Sequence, residues 1–167
     1  IVMVAGFRYQ KDQDTLIRAT ALLPKQFHTF LIGDGERKDL CEKLAITEGV
    51  AERVHFMGIR MDVPEILKAA DYVVMSSHWE GFGLAAVEGM SAGRPILASN
   101  VEGLAQIVDG AGILFPHQNG EQLAKEIIVL NENPTLYQHI ADQCFNKAKL
   151  FDISVMVEKY NYIYLNA

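Results

Sequence analysis

Cysteine is scarce in this chain. Cys41 and Cys144 are the only two. They lack CxxC spacing and give no framework of the kind that staples small secreted domains, so a reducing, cytoplasmic setting is expected, extending at most to the cytoplasmic face of a membrane. No apolar run approaches bilayer-spanning length, and no charged-then-apolar signal segment opens the sequence. Basic residues are not in excess either: a net charge of −6 argues against a general nucleic-acid surface. It still permits a small anionic ligand, because a few local cations and helix termini can outweigh the average. Repeats, low-complexity tracts and linkers are missing, as is any Ser-His-Asp or Cys-His pairing. His78 has no second His, Cys or Asp at ligand spacing, so no metal is expected, and His78 and Trp79 read as loop residues shaping a pocket mouth. Asp12-Gln13-Asp14 resembles a metal-holding Asp-x-Asp pair, but it directly precedes an amphipathic stretch, where aspartate is a natural helix cap.

What is present is an ordinary soluble composition, 50% hydrophobic and 22% charged over 167 residues. That length suits one domain with a real core, residues 1–167. Six apolar runs alternate with helical segments: 1–5, 29–32, 54–57, 72–75, 95–98 and 113–115. Such alternation predicts a Rossmann-like α/β fold, a three-layer α/β/α sandwich with a six-stranded parallel sheet in the order 3-2-1-4-5-6. Helices are expected near 14–23, up to 48, over 63–69 behind a cap at Asp62, after Leu84, near 121–131 and 135–150, and finally over 153–165. The last carries an apolar and aromatic stripe that reads as a packing face. The sequence starts at Ile1, inside an apolar strand pattern and without Met, so it is expected to be an excised piece of a longer protein.

The most informative stretch is Ser76-Ser77-His78-Trp79-Glu80-Gly81-Phe82-Gly83-Leu84. It follows a strand-like run, Tyr72-Val73-Val74-Met75, and leads into good helix formers. The loop therefore belongs at the carboxyl end of a parallel strand, where open sheets place ligands. Gly81 and Gly83 flank Phe82 at the helix start, allowing a ligand close to the main chain and to free N–H groups. Such a terminus attracts phosphate or sugar hydroxyls. Glu80 and Glu88 frame it, and a carboxylate accepts two hydroxyl donors at once, as a sugar diol requires.

Glu80-Gly81-Phe82-Gly83-Leu84, Glu88, Met90, Ala92-Gly93 and Pro95 together resemble the signature of retaining nucleotide-sugar glycosyltransferases of group 1, the family that includes sucrose synthases. These have two Rossmann-like domains facing across a cleft (the GT-B fold), and the signature lies in the C-terminal, donor-binding one. The resemblance implies a UDP- or GDP-sugar as donor, with no cofactor required. It also implies a glycan or lipid-linked acceptor held by a missing N-terminal domain, and any peripheral membrane association through that half alone. By the same resemblance Lys11 and an arginine bind the donor diphosphate. The family places the arginine directly after the first strand, where this chain has Gly6, and Arg8 is the candidate to stand in. Glu88 would take the ribose, and Glu80 the sugar hydroxyls rather than act as nucleophile. Phe82 and Leu84 join the glycines around the donor, Gly33 lies near the nucleotide, and the backbone at Ile59 meets the base. The loop 100–104 faces the donor sugar, and the helix of 153–167 crosses toward the missing half, leaving the fragment inactive alone.

Other readings stand beside this one. Gly81-x-Gly83-x-x-Ala86 formally matches a dinucleotide fingerprint of NAD-type oxidoreductases, yet five residues separate it from Met75. A nucleotide-sugar epimerase of the same architecture and a catalytically silent binding module also fit.

Overall fold

In the computed structural model, which describes residues 1–165, six parallel strands form one sheet. They are β1 (Val2–Val4), β2 (Thr29–Ile32), β3 (Val54–Phe56), β4 (Val73–Met75), β5 (Ile96–Ser99) and β6 (Ile113–Phe115). Their order across the sheet is β3-β2-β1-β4-β5-β6, as the alternation of apolar runs predicts. Eight helices connect and flank them: α1 (Gln13–Leu22), α2 (Lys38–Thr47), α3 (Val63–Ala69), α4 (Leu84–Ser91), α5 (Leu104–Val108), α6 (Gly120–Glu132), α7 (Pro134–Ala148) and α8 (Ile153–Leu165).

The strands read as continuous apolar runs because both faces are covered. Successive side chains point to opposite faces. Met3, Leu31, Val74, Leu97 and Phe115 therefore pack with Leu16 and Ile17 of α1, Cys41 and Ala45 of α2 and Leu123, Ile127 and Leu130 of α6. Val2, Val73, Met75, Ile96 and Ala98 face the other way, against Ala86 and Met90 of α4, Leu104 and Val108 of α5 and Cys144 of α7. Two apolar layers thus enclose the sheet. Residue by residue, a one-position slip of any strand would exchange its two sets of partners.

The Asp12 cap is present: its side chain accepts hydrogen bonds from Thr15 N at 3.4 Å and Thr15 Oγ1 at 2.6 Å. Asp62 does sit at the start of α3, but its side chain makes no capping bond. Arg60 claims it instead, donating from Nε and Nη2 to the two carboxylate oxygens at 2.8 and 2.6 Å. A bidentate guanidinium two residues away is a stronger partner than a single backbone N–H. The final helix is described as far as Leu165; residues 166–167 of the expected terminal element lie outside the described residues. Among the described residues no helix is long and apolar enough to cross a membrane.

Both thiols are sealed in these layers at 0% exposure. Burial, with the nearby Asp14 carboxylate, pushes the Cys41 thiol up to about 12, and burial pushes Cys144 up as well. Since the thiolate is the reactive form, neither cysteine should react with a disulfide reagent at pH 8 in the native chain, and both should react in denaturant. Stoichiometric labelling of the folded chain within minutes would show that the two packed layers open far more readily than this burial implies.

Candidate functional site at the carboxyl edge of the sheet

Strand order reverses between β1 and β4: β1 continues to β2 and β3 on one side, β4 to β5 and β6 on the other. At such a reversal the loops leaving the two central strands diverge and open a crevice at the carboxyl edge. The loop after β1 and the loop after β4 border it. They are stitched together by the His78 N–H donating to Gln10 O at 2.8 Å, Gln10 Nε2 donating to Trp79 O at 2.9 Å, and Ser76 Oγ donating to Asp12 O at 2.7 Å.

Across this seam Lys11 Nζ meets Glu80 Oε1 at 2.5 Å. Ser77 Oγ donates to the same carboxylate oxygen at 2.9 Å. The Glu80 side chain is only 7% exposed and Lys11 21%, so the ion pair is substantially desolvated and its geometry matters more than at a surface. Ser76 and Ser77 are themselves fully buried, and Ser99 Oγ donates to Ser77 O at 2.6 Å. Sequence reasoning missed these serines as parts of the site. The available signal was two hydroxyl residues continuing directly from an all-apolar strand.

Glu80 opens onto a hollow of about 510 Å3 that it lines with Trp79, Gly81, Val101, Glu102 and Gly103. Residues of the loop 100–104 thus lie across this hollow from Glu80. Gly103 explains how closely: it has φ of +87°, and a Cβ there would stand 2.1 Å from the Glu80 carbonyl oxygen. Gly81 differs, since a Cβ on it would meet nothing within 4 Å. Gly83 precedes α4 as its N-cap residue. Phe82 and Leu84 are exposed, and the Phe82 ring meets Phe151 edge-on at 5.7 Å.

The remaining expected residues are more scattered. Arg8 is exposed, with its Nε 4.0 Å from where a Cβ on Gly6 would stand. Gly33, after β2, is pressed against β1: with φ of +138°, a Cβ would lie 2.2 Å from Ala5 O. Ile59, past β3, is 76% exposed. Glu88 lies in the second turn of α4, exposed, and its side chain makes no hydrogen bond or ion pair among the described residues. It does not line the hollow beside Glu80. Finally, the fold joins residues that local spacing keeps apart: His78 Nδ1 lies 2.6 Å from His117 Nε2 and 3.6 Å from the Asp12 carboxylate.

Residues 1–147 match the family model described as glycosyl transferases group 1. A Campylobacter jejuni N,N'-diacetylbacillosaminyl-diphospho-undecaprenol alpha-1,3-N-acetylgalactosaminyltransferase is 25% identical over 98% of this chain and 44% of its own length. The Rhizobium meliloti lipopolysaccharide core biosynthesis glycosyltransferase LpsE is 34% identical over 86% of this chain and 43% of its own. Among solved structures, Anabaena HepE in complex with UDP superposes with a TM-score of 0.93 at 26% identity, covering 99% of this chain and 49% of that one. HepE in complex with UDP-glucose gives 0.90 at 28%, with the same coverage. The chain therefore spans less than half the length of each of these curated relatives.

The contrast between two neighbouring glycines tests the site's architecture. Gly103→Ala must strain its backbone and displace the Glu80 carbonyl, so a loss of stability of about 1–3 kcal/mol is expected in chemical denaturation. Gly81→Ala should leave the midpoint within about 0.5 kcal/mol of the parent. Equal midpoints for the two variants would refute the close approach of the 100–104 loop to Glu80.

Proposed function

The chain belongs to the group 1 family of glycosyl transferases, and from that premise we propose that it is the donor-binding half of a two-domain enzyme. That enzyme transfers a sugar from a nucleoside diphosphate sugar to an acceptor, with retention of anomeric configuration. The single observation that carries the reading is the Lys11–Glu80 pair, set in the crevice between the β1 and β4 loops beside an open polar hollow.

Breaking the bond between an anomeric carbon and a diphosphate leaves negative charge on the departing oxygen. Cations and main-chain dipoles already aimed at that charge stabilise it without reorganisation. Lys11, released from Glu80 as the diphosphate arrives, and Arg8, whose head lies back toward Gly6, take that role. The start of α4 adds its N-terminal dipole. Glu80 then accepts hydroxyls of the donor sugar, and Glu88, whose side chain has no partner among the described residues, accepts the ribose diol. Phe82, Leu84, Gly81 and Gly83 border the donor; Gly33 and the backbone at Ile59 border the nucleotide. No cofactor is required in this reading. UDP is the favoured nucleotide because the superposing HepE structures hold UDP and UDP-glucose. The names of the Campylobacter and Rhizobium relatives favour a glycan or lipid-linked acceptor and a place in polysaccharide or glycan assembly.

The acceptor would be held by the rest of the enzyme, toward which α8 extends. No residue of α8 is buried, and Ile153, Met156, Val157, Tyr160 and Ile163 are exposed on it. A contiguous apolar face of this kind marks a docking surface, here for the N-terminal half and any membrane association that half brings.

Calorimetric titration with UDP tests the assignment. Removing one charge-assisted hydrogen bond costs about 1.5–3 kcal/mol, so Lys11→Ala and Glu88→Ala should each weaken UDP binding roughly ten- to a hundredfold. The Lys11 loss should shrink as salt rises. Binding of UDP by both variants as tightly as by the parent would overturn the phosphate and ribose roles, and preference for NAD over UDP would overturn the whole reading.

Orienting donor and acceptor together accounts for about 7–11 kcal/mol of barrier lowering in favourable intramolecular cases. The 167-residue chain presents one wall of the cleft, so it should bind UDP weakly and transfer no sugar in a radiolabelled-donor assay. Transfer at a rate near that of the full-length enzyme would contradict the two-wall arrangement.

A further inference from the structure

We propose that Asp12, His78 and His117 form a binding site for a first-row divalent transition-metal ion, zinc being the best match, which clamps three loops at the carboxyl edge of the sheet. The three residues come from the loops after β1, β4 and β6. One carboxylate oxygen and two imidazole nitrogens all lie within 4.8 Å of one another. His78 Nδ1 is 3.6 Å from Asp12 Oδ2 and 2.6 Å from His117 Nε2.

The geometry needs only a small adjustment. In a tetrahedral zinc site with Zn–N of about 2.0–2.1 Å, two ligating nitrogens stand about 3.3 Å apart. The two imidazoles must therefore separate by less than an ångström, as the shared hydrogen bond gives way to a shared ion. Asp12 and His78 are anchored, with side chains 6% and 7% exposed. His117 is exposed on the loop between Pro116 and the Asn119 cap of α6, so it is the ligand free to move.

The surroundings orient the fixed ligands, as outer partners do in metal sites. Thr15 Oγ1 donates to Asp12 Oδ2 at 2.6 Å. The His78 main chain is held by Gln10 O, and its ring lies 4.5 Å from that of Tyr9. Asp12, Thr15 and His78 also line a hollow of about 300 Å3 open to solvent, which provides an entry path. Two imidazoles with one carboxylate suit zinc, nickel or copper; magnesium and calcium demand a shell of oxygens that this site lacks. Three protein ligands leave a further position for water.

The consequence is mechanical. Asp12 adjoins Lys11 in sequence, and His78 stands just ahead of Glu80. An ion here would tie the β6 loop to both loops of the Lys11–Glu80 seam and hold that seam in register. The inference needs only the three side chains and does not depend on the donor reading.

The test uses the tag-free chain, stripped with EDTA and exchanged into metal-free buffer. Zinc titrated by calorimetry should saturate at one equivalent and raise the melting temperature. Cobalt(II) should give visible d–d absorption of a nitrogen- and oxygen-ligated site, while millimolar magnesium should change nothing. His117→Ala, a surface substitution, should keep the fold, lose the cobalt spectrum and weaken zinc binding at least tenfold. Asp12→Asn provides a second lesion on a different loop and should weaken zinc binding likewise. Failure of the parent to saturate with zinc, zinc affinity unchanged in His117→Ala, or an equal thermal response to magnesium would each overturn the proposal.

Discussion

The reversal of strand order between β1 and β4 is the constraint on which the site depends. A parallel sheet carries all its strand-to-helix loops at one edge, and neighbouring loops normally fall to opposite or overlapping faces. Only at the reversal do two adjacent loops lean apart and leave a crevice. Here those loops hold Lys11 and Glu80, which are 69 residues apart in sequence, and the packing of Val2 beside Val73 fixes their separation. A lysine–glutamate contact this little exposed is a poor source of stability, because desolvating both charges offsets much of their attraction. Its value is positional: each charge holds the other in the crevice between the β1 and β4 loops.

The fold was legible because burial on both faces writes each strand as an unbroken apolar run, and short polar or glycine-rich segments punctuate every run. That Lys11 and Glu80 share one sheet edge was legible for a related reason: each residue follows a strand, and parallel topology sends every such loop to the same edge; their ion pair was not. The Asp12–His78–His117 meeting was not, since it depends on three loops whose mutual reach is set by side-chain length and by the lateral order of β1, β4 and β6. No local spacing encodes that. Asp62 shows a different failure. Its helix-start position was correct, but a competing guanidinium two residues earlier took the carboxylate.

Glu88 and Gly89 show how helical phase divides labour within one turn. Gly89 faces the sheet, where a Cβ would press to 2.7 Å from Val73 Cγ1, so this position leaves no room for a side chain between α4 and β4. The next position round the helix turns Glu88 outward to solvent. A larger residue at position 89 would lift α4, and with it the Gly83 end that borders the crevice. The small residue therefore sets how close the helix sits, while its neighbour faces solvent.

One further contact joins the site to the far end of the chain. Phe82, in the loop between Glu80 and α4, packs edge-on against Phe151, and Phe151 lies two residues before α8. An α-helix of this length is marginal on its own in water and depends on covering an apolar face. No residue of α8 is buried, so among the described residues nothing covers that face. Phe82 and Phe151 thus join the loop that follows Glu80 to the segment that precedes α8, a contact that neither residue's place in the sequence announces.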